Sequence, residues 1–174
     1  MASSNSRRAR LLIAFFSFSG NTRRLAQALT ERLRNFYDVE VVEIVPTRKR
    51  SYFHWLAYSF VPGSEVEIEN PEMELFRYDV VLLGFPKWTS SCPPLNRFIR
   101  KLRSHNKPRF YLFMTCGGFD DLRFLNSFTH KLTKNGYNIV GSLAIRRNQI
   151  QDGTFSKSVD SFVKCIQKHD LTSR

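Results

Sequence analysis

The stretch LLIAFFSFSGNT, residues 11–22, joins a short apolar run directly to a hydroxyl-rich turn that contains one glycine. The apolar half predicts a buried strand, and the segment from Asn21 onward has the spacing of a helix. Gly20 permits a tight turn between them. A helix that begins there directs unpaired backbone N–H groups towards the loop, and no acidic side chain in the stretch would repel an anion. The pattern is typical of a phosphate-binding turn, although a simple helix cap at Asn21 or Thr22 explains the same residues.

Apolar runs alternate with helical patterns along the rest of the chain. Unbroken apolar strands are those that helices cover on both faces, so five of them separated by helices predict a doubly wound α/β fold with a parallel sheet. The strands are predicted at residues 11–16, 39–45, 78–85, 109–115 and 137–145, and the helices at 21–35, from Pro93 onward, at 120–134 and at 155–169.

The length of 174 residues suits one domain, which we predict to span residues 1–174 with a flexible basic tail at 1–9. Residues 47–74 interrupt the alternation of strands and helices. Within them, a basic run at 48–50 precedes an aromatic-rich segment at 51–61, for which we predict a short helix and loop. Its aromatic side chains either pack onto the sheet edge, cover a bound ligand, or contact an anionic membrane surface together with the basic run.

Charge is the unusual feature of the composition, with 27 Lys and Arg against 15 Asp and Glu and a net charge of +12. Such a balance favours acidic proteins, anionic lipid or nucleic acid as partners, or serves solubility alone. No base-reading motif accompanies it, so no specific nucleic-acid partner is predicted. The three cysteines and four histidines lack the spacing of a disulfide framework or a metal site, which favours a cytoplasmic setting and no metal.

Three loops that follow predicted strands carry unusual chemistry. The first is residues 17–22; the second, residues 84–94, places Trp88 among small polar residues; and the third, residues 115–119, contains two adjacent glycines. Because ligands of an open parallel sheet bind beyond the carboxyl ends of its strands, we expect these loops to meet at one edge. A phosphate cradle, an indole and a glycine-lined wall suit a ligand with a phosphate tail and a planar ring.

The three loops resemble those of the FMN-binding members of the flavodoxin-like family. Residues 17–22 match the family's phosphate loop, S/T-x-S/T-G-x-T, and residues 115–118 match a T-x-G-G segment that many members carry after the fourth strand. After the third strand many members read G-x-P-x-Y/W before prolines and a helix, as residues 84–94 do. The resemblance covers residues 10–168 apart from 47–70, and it implies a five-stranded sheet of order 2-1-3-4-5 in three α/β/α layers.

This resemblance implies a site for FMN. The first loop would hold the phosphate, and the second and third would line the ring, with Trp88 as the stacking residue. Since the flavin carries the chemistry, no catalytic side chain is predicted. The predicted cofactor-binding residues are Ser17, Phe18, Ser19, Gly20, Asn21, Thr22, Pro86, Lys87, Trp88, Thr89, Ser90, Thr115, Cys116, Gly117, Gly118 and Phe119.

The function that the resemblance implies is that of an FMN-dependent redox protein, which transfers electrons to a partner protein or reduces a small acceptor such as a quinone. The alternative is a non-catalytic module of the same fold that binds an acidic partner or an anionic surface, because soluble carriers of the family are usually acidic and this chain is basic.

Three residues of the second and third loops have expected effects of their own. Lys87 beside the flavin would raise its reduction potential by favouring the negatively charged reduced form. Ser90 stands where many relatives have glycine, and would restrict the peptide flip that accompanies flavin reduction. Cys116, close to a predicted helix start, is either a thiol of lowered pKa or a packed loop cysteine.

Overall fold

The computed structural model describes residues 8–103, 108–118 and 121–171. Most of the predicted tail, at residues 1–7, and the predicted site residue Phe119 therefore lie outside the described residues. The strands are β1 (Arg10–Phe15), β2 (Asp38–Glu43), β3 (Met73–Glu74), β4 (Val80–Pro86), β5 (Leu102–Arg103), β6 (Arg109–Cys116) and β7 (Asn138–Arg146). The helices are α1 (Asn21–Leu33), α2 (Tyr52–Ser59), α3 (Pro93–Arg100), α4 (Asp121–Lys134), α5 (Arg147–Asp152) and α6 (Ser156–Leu171), and a 3-10 turn spans Leu75–Arg77.

The five long strands form one sheet in the order β2-β1-β4-β6-β7, and every neighbouring pair is parallel. With the two-residue strands β3 and β5 left out, this is the predicted order 2-1-3-4-5, so the doubly wound α/β fold is confirmed. Strands β3 and β5 pair with each other in a separate parallel ladder that the sequence pattern did not predict.

Side chains from each strand alternate between two cores, one on each face of the sheet. One core lies between the sheet and helices α3 and α4, and the other between the sheet and helices α1, α5 and α6. Both faces are therefore covered, as near-continuous apolar strands require. The first core includes Leu12, Leu83, Leu112, Phe98 and Phe128, and the second includes Leu11, Ile13, Leu29, Tyr111 and Phe162.

The interruption at residues 47–74 contains the predicted short helix, which is α2. After this helix the chain returns antiparallel to the end of β2 through a bridge between Pro46 and Ile68. Arg97 on α3 pairs with the carboxylates of Glu65 and Glu67, at 3.5 and 2.9 Å. The interruption is thus attached to the sheet edge by backbone pairing and to α3 by charge.

Gly84 in β4 is required by packing. A Cβ atom built on Gly84 would lie 2.1 Å from the ring of Phe113 on the neighbouring strand β6, a residue that is itself fully buried. The ring of Phe113 thus occupies the space that any other residue at position 84 would need. This explains the glycine of the second loop's motif by core packing, not by contact with a ligand.

We expect Gly84→Ala to lower the free energy of unfolding by about 1–3 kcal/mol, the usual cost of overpacking a close-packed core. Urea denaturation of the ligand-free protein measures it. Gly117→Ala is the matched control, because a Cβ at Gly117 meets nothing within 4 Å. Equal stability of the Gly84→Ala variant and the unaltered protein would contradict this account of the packing.

Candidate functional site

The three loops predicted to converge do meet at one edge of the sheet. The hydroxyl oxygens of Thr22 and Thr115 lie 2.9 Å apart in a buried hydrogen bond that joins the first loop to the third. The N–H of Lys87 donates to the carbonyl of Thr115 over 2.8 Å, which joins the second loop to the third. The rings of Phe18 and Trp88 contact edge to face, with centroids 6.2 Å apart, and so join the first loop to the second.

The first loop presents an array of backbone donors. Gly20 has φ of 86°, a left-handed conformation that favours glycine, and α1 begins directly after it. No described residue accepts a hydrogen bond from the backbone N–H groups of residues 18–22. The hydroxyl of Ser17 accepts from the N–H of Arg23 over 3.2 Å, and that of Ser19 accepts from the Asn21 amide over 3.1 Å.

The interpretation of this turn as a simple helix cap at Asn21 or Thr22 is wrong. The residue that precedes the helix is Gly20, which has no side chain to form a capping hydrogen bond. The first turn of α1 contains no acidic residue, and the nearby Arg23 guanidinium is paired with Glu43, which raises the pKa of Arg23. The positive end of the α1 dipole therefore faces a loop that is rich in donors and free of carboxylates.

In the second loop, Trp88 is half-buried, and a residue of α2 covers one face of its ring. The indole of Trp55 on α2 stacks on it, with centroids 5.7 Å apart and planes 19° apart, while Phe16 contacts it edge-on at 5.6 Å. Trp55 is only 2% exposed. The aromatic segment therefore packs beside the candidate site through Trp55, and its helix forms part of the site's wall.

Helix α2 also fixes the backbone of the second loop. The hydroxyls of Ser59 and Thr89 lie 2.7 Å apart, and the N–H of Ser90 donates to the carbonyl of Ser59 over 3.0 Å. Ser59 is fully buried. A peptide rotation next to Ser90 would have to break this bond, so α2 restrains the loop.

Comparisons with known proteins place the chain in a family and a fold. No protein-family model matches the chain. An uncharacterized protein of Archaeoglobus fulgidus is 31% identical over 140 residues, which covers 79% of this chain and 86% of the archaeal protein. The chain belongs to the same family as that protein.

Solved structures identify the fold. A Bacteroides uniformis protein provisionally named a flavoprotein superposes with a TM-score of 0.71 at 21% identity, covering 91% of this chain and 99% of that one. Oxidised flavodoxin 2 of Bacillus cereus superposes with a TM-score of 0.61 at 18% identity, covering 92% of this chain and 99% of that one. A Lactobacillus acidophilus flavoprotein in complex with FMN superposes with a TM-score of 0.60 at 16% identity, covering 83% of this chain and 97% of that one. The chain has the flavodoxin-like fold.

Within this flavodoxin-like fold, Lys87 lies at the base of the second loop and forms a buried ion pair. Its ammonium lies 3.2 Å from a carboxylate oxygen of Asp121, and the two side chains are only 11% and 10% exposed. Asp121 is the first residue of α4, where a negative charge also meets the positive end of the helix dipole. The positive charge predicted to tune a flavin is thus partly offset by a carboxylate that sequence reasoning did not connect to it.

The third loop contains a buried thiol and two glycines. Burial, and after it the hydrogen bond and charge of the neighbouring Asp121 carboxylate, raise the pKa of Cys116 to about 12, against smaller opposing effects of Gly118 and Lys87. Of the two alternatives for Cys116, the packed cysteine is therefore the one that the structure supports: the residue is buried at the end of β6, and its pKa is not lowered. Gly118 has φ of 101°, and a Cβ on it would be 3.5 Å from Nε of Arg146. A Cβ at Gly117 would meet nothing within 4 Å, so the backbone at Gly117 is open to close approach.

Sequence reasoning missed three contributors to the site: Trp55, Ser59 and Asp121. The aromatic richness of residues 51–61 was a signal that this segment has a partner, but nothing in the sequence pattern named Trp88 as that partner. The predicted residues of all three loops lie together at the sheet edge, except Phe119, which lies outside the described residues.

Proposed function

We propose that this protein is an FMN-binding redox protein that transfers electrons to a partner protein or reduces a small acceptor such as a quinone. The observation that carries the proposal is the first loop, where the backbone donors of residues 18–22 meet the N-terminus of α1 beside the indole of Trp88. The Lactobacillus acidophilus structure of similar fold, which contains FMN, supports the choice of ligand.

The first loop fits a phosphate group. A phosphate accepts hydrogen bonds from backbone N–H groups and hydroxyls, and both are present here without a carboxylate in the first turn of α1. Ser17, Ser19 and Asn21 are the side chains that would donate to it, after the local bonds within the loop rearrange. Thr22 instead holds the loop in position through its bond to Thr115.

The second and third loops fit a planar ring. Trp88 offers aromatic surface, and the backbone at Gly117 can approach a flat ligand closely because a Cβ there would meet open space. When bound, FMN supplies the capacity to accept and release electrons. The protein binds and orients it, and α2 shields one side of Trp88 from water through Trp55.

We expect Ser19→Ala to weaken FMN binding by about 10- to 100-fold, since a hydrogen bond to a charged phosphate is lost, and to leave riboflavin binding unchanged because riboflavin lacks the phosphate. Flavin fluorescence titration measures both affinities. Ser161→Ala, an exposed position on α6, is the control. An equal loss of affinity for both flavins, or for neither, would show that the first loop does not hold the phosphate.

The ion pair of Lys87 and Asp121 lies at the same site, and its two charges should shift the flavin reduction potential in opposite directions. Lys87→Met should lower the flavin reduction potential and Asp121→Asn should raise it, each by on the order of tens of millivolts, because a nearby cation favours the reduced flavin and a nearby carboxylate opposes it. Redox titration of the FMN-loaded variants measures this, with Arg34→Met, an exposed position directly after the C-terminal end of α1, as the control. Unchanged potentials in both variants would rule out the role.

A second candidate function, association with an anionic membrane surface, is favoured by the outer face of the aromatic segment. Phe53, Phe60 and Val61 are 78%, 62% and 58% exposed, and the exposed basic residues Arg48 and Lys49 precede them in the chain. Apolar rings beside cations suit an anionic bilayer interface. Within the described residues, no helix has the length and apolar character that a membrane span requires.

We expect the protein to sediment with vesicles of phosphatidylserine and phosphatidylcholine at low salt, and the Phe53→Ser, Phe60→Ser double variant to lose most of this binding because the apolar contact is removed. Phe36→Ser and Phe76→Ser, which alter rings that are 53% and 54% exposed elsewhere, are the matched controls. Absence of binding to anionic vesicles at low salt would exclude the membrane function. A protein partner would then be the candidate for contact with the exposed rings.

A further inference from the structure

A cavity of about 610 Å³ lies between α4 and the second loop. Its volume falls within the range of small-molecule sites. The second loop supplies Trp88 and the hydroxyls of Thr89, Ser90 and Ser91 to its wall, and the turn after α2 supplies Gly63. None of the residues of the first loop lines it.

Helix α4 gives the opposite wall a regular pattern. Arg123, Ser127 and Lys131 follow one another at every fourth position, so they lie in one row on the helix surface. Phe124 and Phe128 form the neighbouring row, and their rings are nearly parallel, with planes 8° apart and centroids 6.2 Å apart. The cavity is thus lined by aromatic surface along one row and by cationic and hydroxyl groups along the other.

The charge of this cavity has one sign. Its charged lining residues are Lys87, Arg123 and Lys131, and none of its lining residues is acidic. Lys87 is paired with Asp121, but no carboxylate of a described residue lies within 4 Å of the charged nitrogens of Arg123 or Lys131. The Lys131 ammonium extends across the cavity to the turn after α2, where a Cβ on Gly63 would be 3.6 Å from it.

We propose that this cavity binds a small planar ligand that carries an anionic group such as a carboxylate or sulfonate. The ring of the ligand would pack on Phe124, Phe128 and the edge of Trp88, and its anionic group would lie between Arg123 and Lys131. That this ligand is the electron acceptor rests on the proposed redox function, since the second loop, at residues 87–90, borders both this cavity and the candidate flavin site. Binding of the anionic ligand itself does not depend on FMN.

Calorimetric titration with 9,10-anthraquinone-2-sulfonate tests the proposal, with 2-(hydroxymethyl)anthraquinone as the uncharged analogue. We expect Arg123→Gln and Lys131→Gln each to weaken binding of the sulfonate by roughly tenfold, the contribution of one charge-assisted hydrogen bond, and to leave binding of the uncharged analogue unchanged. Lys134→Gln removes the same charge from the same helix outside the cavity and should have no effect. Both lining positions are exposed, so circular dichroism should show the variants folded.

The titration is repeated on the FMN-loaded protein, because a planar anion can also enter a flavin site. Binding that persists with FMN present and still depends on Arg123 and Lys131 supports a separate cavity. Competition with FMN, or an affinity that neither substitution changes, would overturn the proposal. If the protein binds no FMN but still binds the sulfonate, and if this binding still depends on Arg123 and Lys131, the redox function is refuted. The proposal of the ligand site is then supported.

Discussion

Thr115 connects all three loops of the candidate site. Its hydroxyl bonds to that of Thr22 over 2.9 Å, its carbonyl accepts the N–H of Lys87 over 2.8 Å, and its backbone pairs in register with Pro86 at the end of β4. This arrangement depends on the parallel sheet, because only parallel strands bring the chain out at the same edge after β1, β4 and β6. The phosphate-binding turn and the Trp88 loop take their relative positions from that edge.

The interruption between β2 and β4 completes this site. Its glutamates neutralise Arg97 of α3, its return segment extends the edge of the sheet, and its helix contributes the Trp55 indole and the Ser59 carbonyl. Segment α2 therefore has two faces with different roles. One face packs on the second loop, while Phe53 on the helix and Phe60 directly after it are exposed.

The fold could be predicted because the sequence patterns that determine it each lie within a single strand, helix or loop. Four of the five long strands are largely apolar runs, β2 carries valines between acidic residues, and each long helix shows a regular apolar face. The hydroxyls and glycines of the three loops stand at the ends of strands or directly after them. Helix α5 was missed because its six residues bury only Ile150 and show no periodicity. The stacking of Trp55 on Trp88 and the pairing of Lys87 with Asp121 could not be predicted, since each joins segments whose approach is set by tertiary packing alone.

The absorption spectrum of the purified protein between about 350 and 500 nm, before and after addition of FMN, tests the central claim most directly. The account predicts flavin absorption bands that saturate at one FMN per chain, with a chromophore that is identified as FMN after release from the protein. A protein that is colourless when purified, takes up no added FMN and yet is folded by circular dichroism would contradict it.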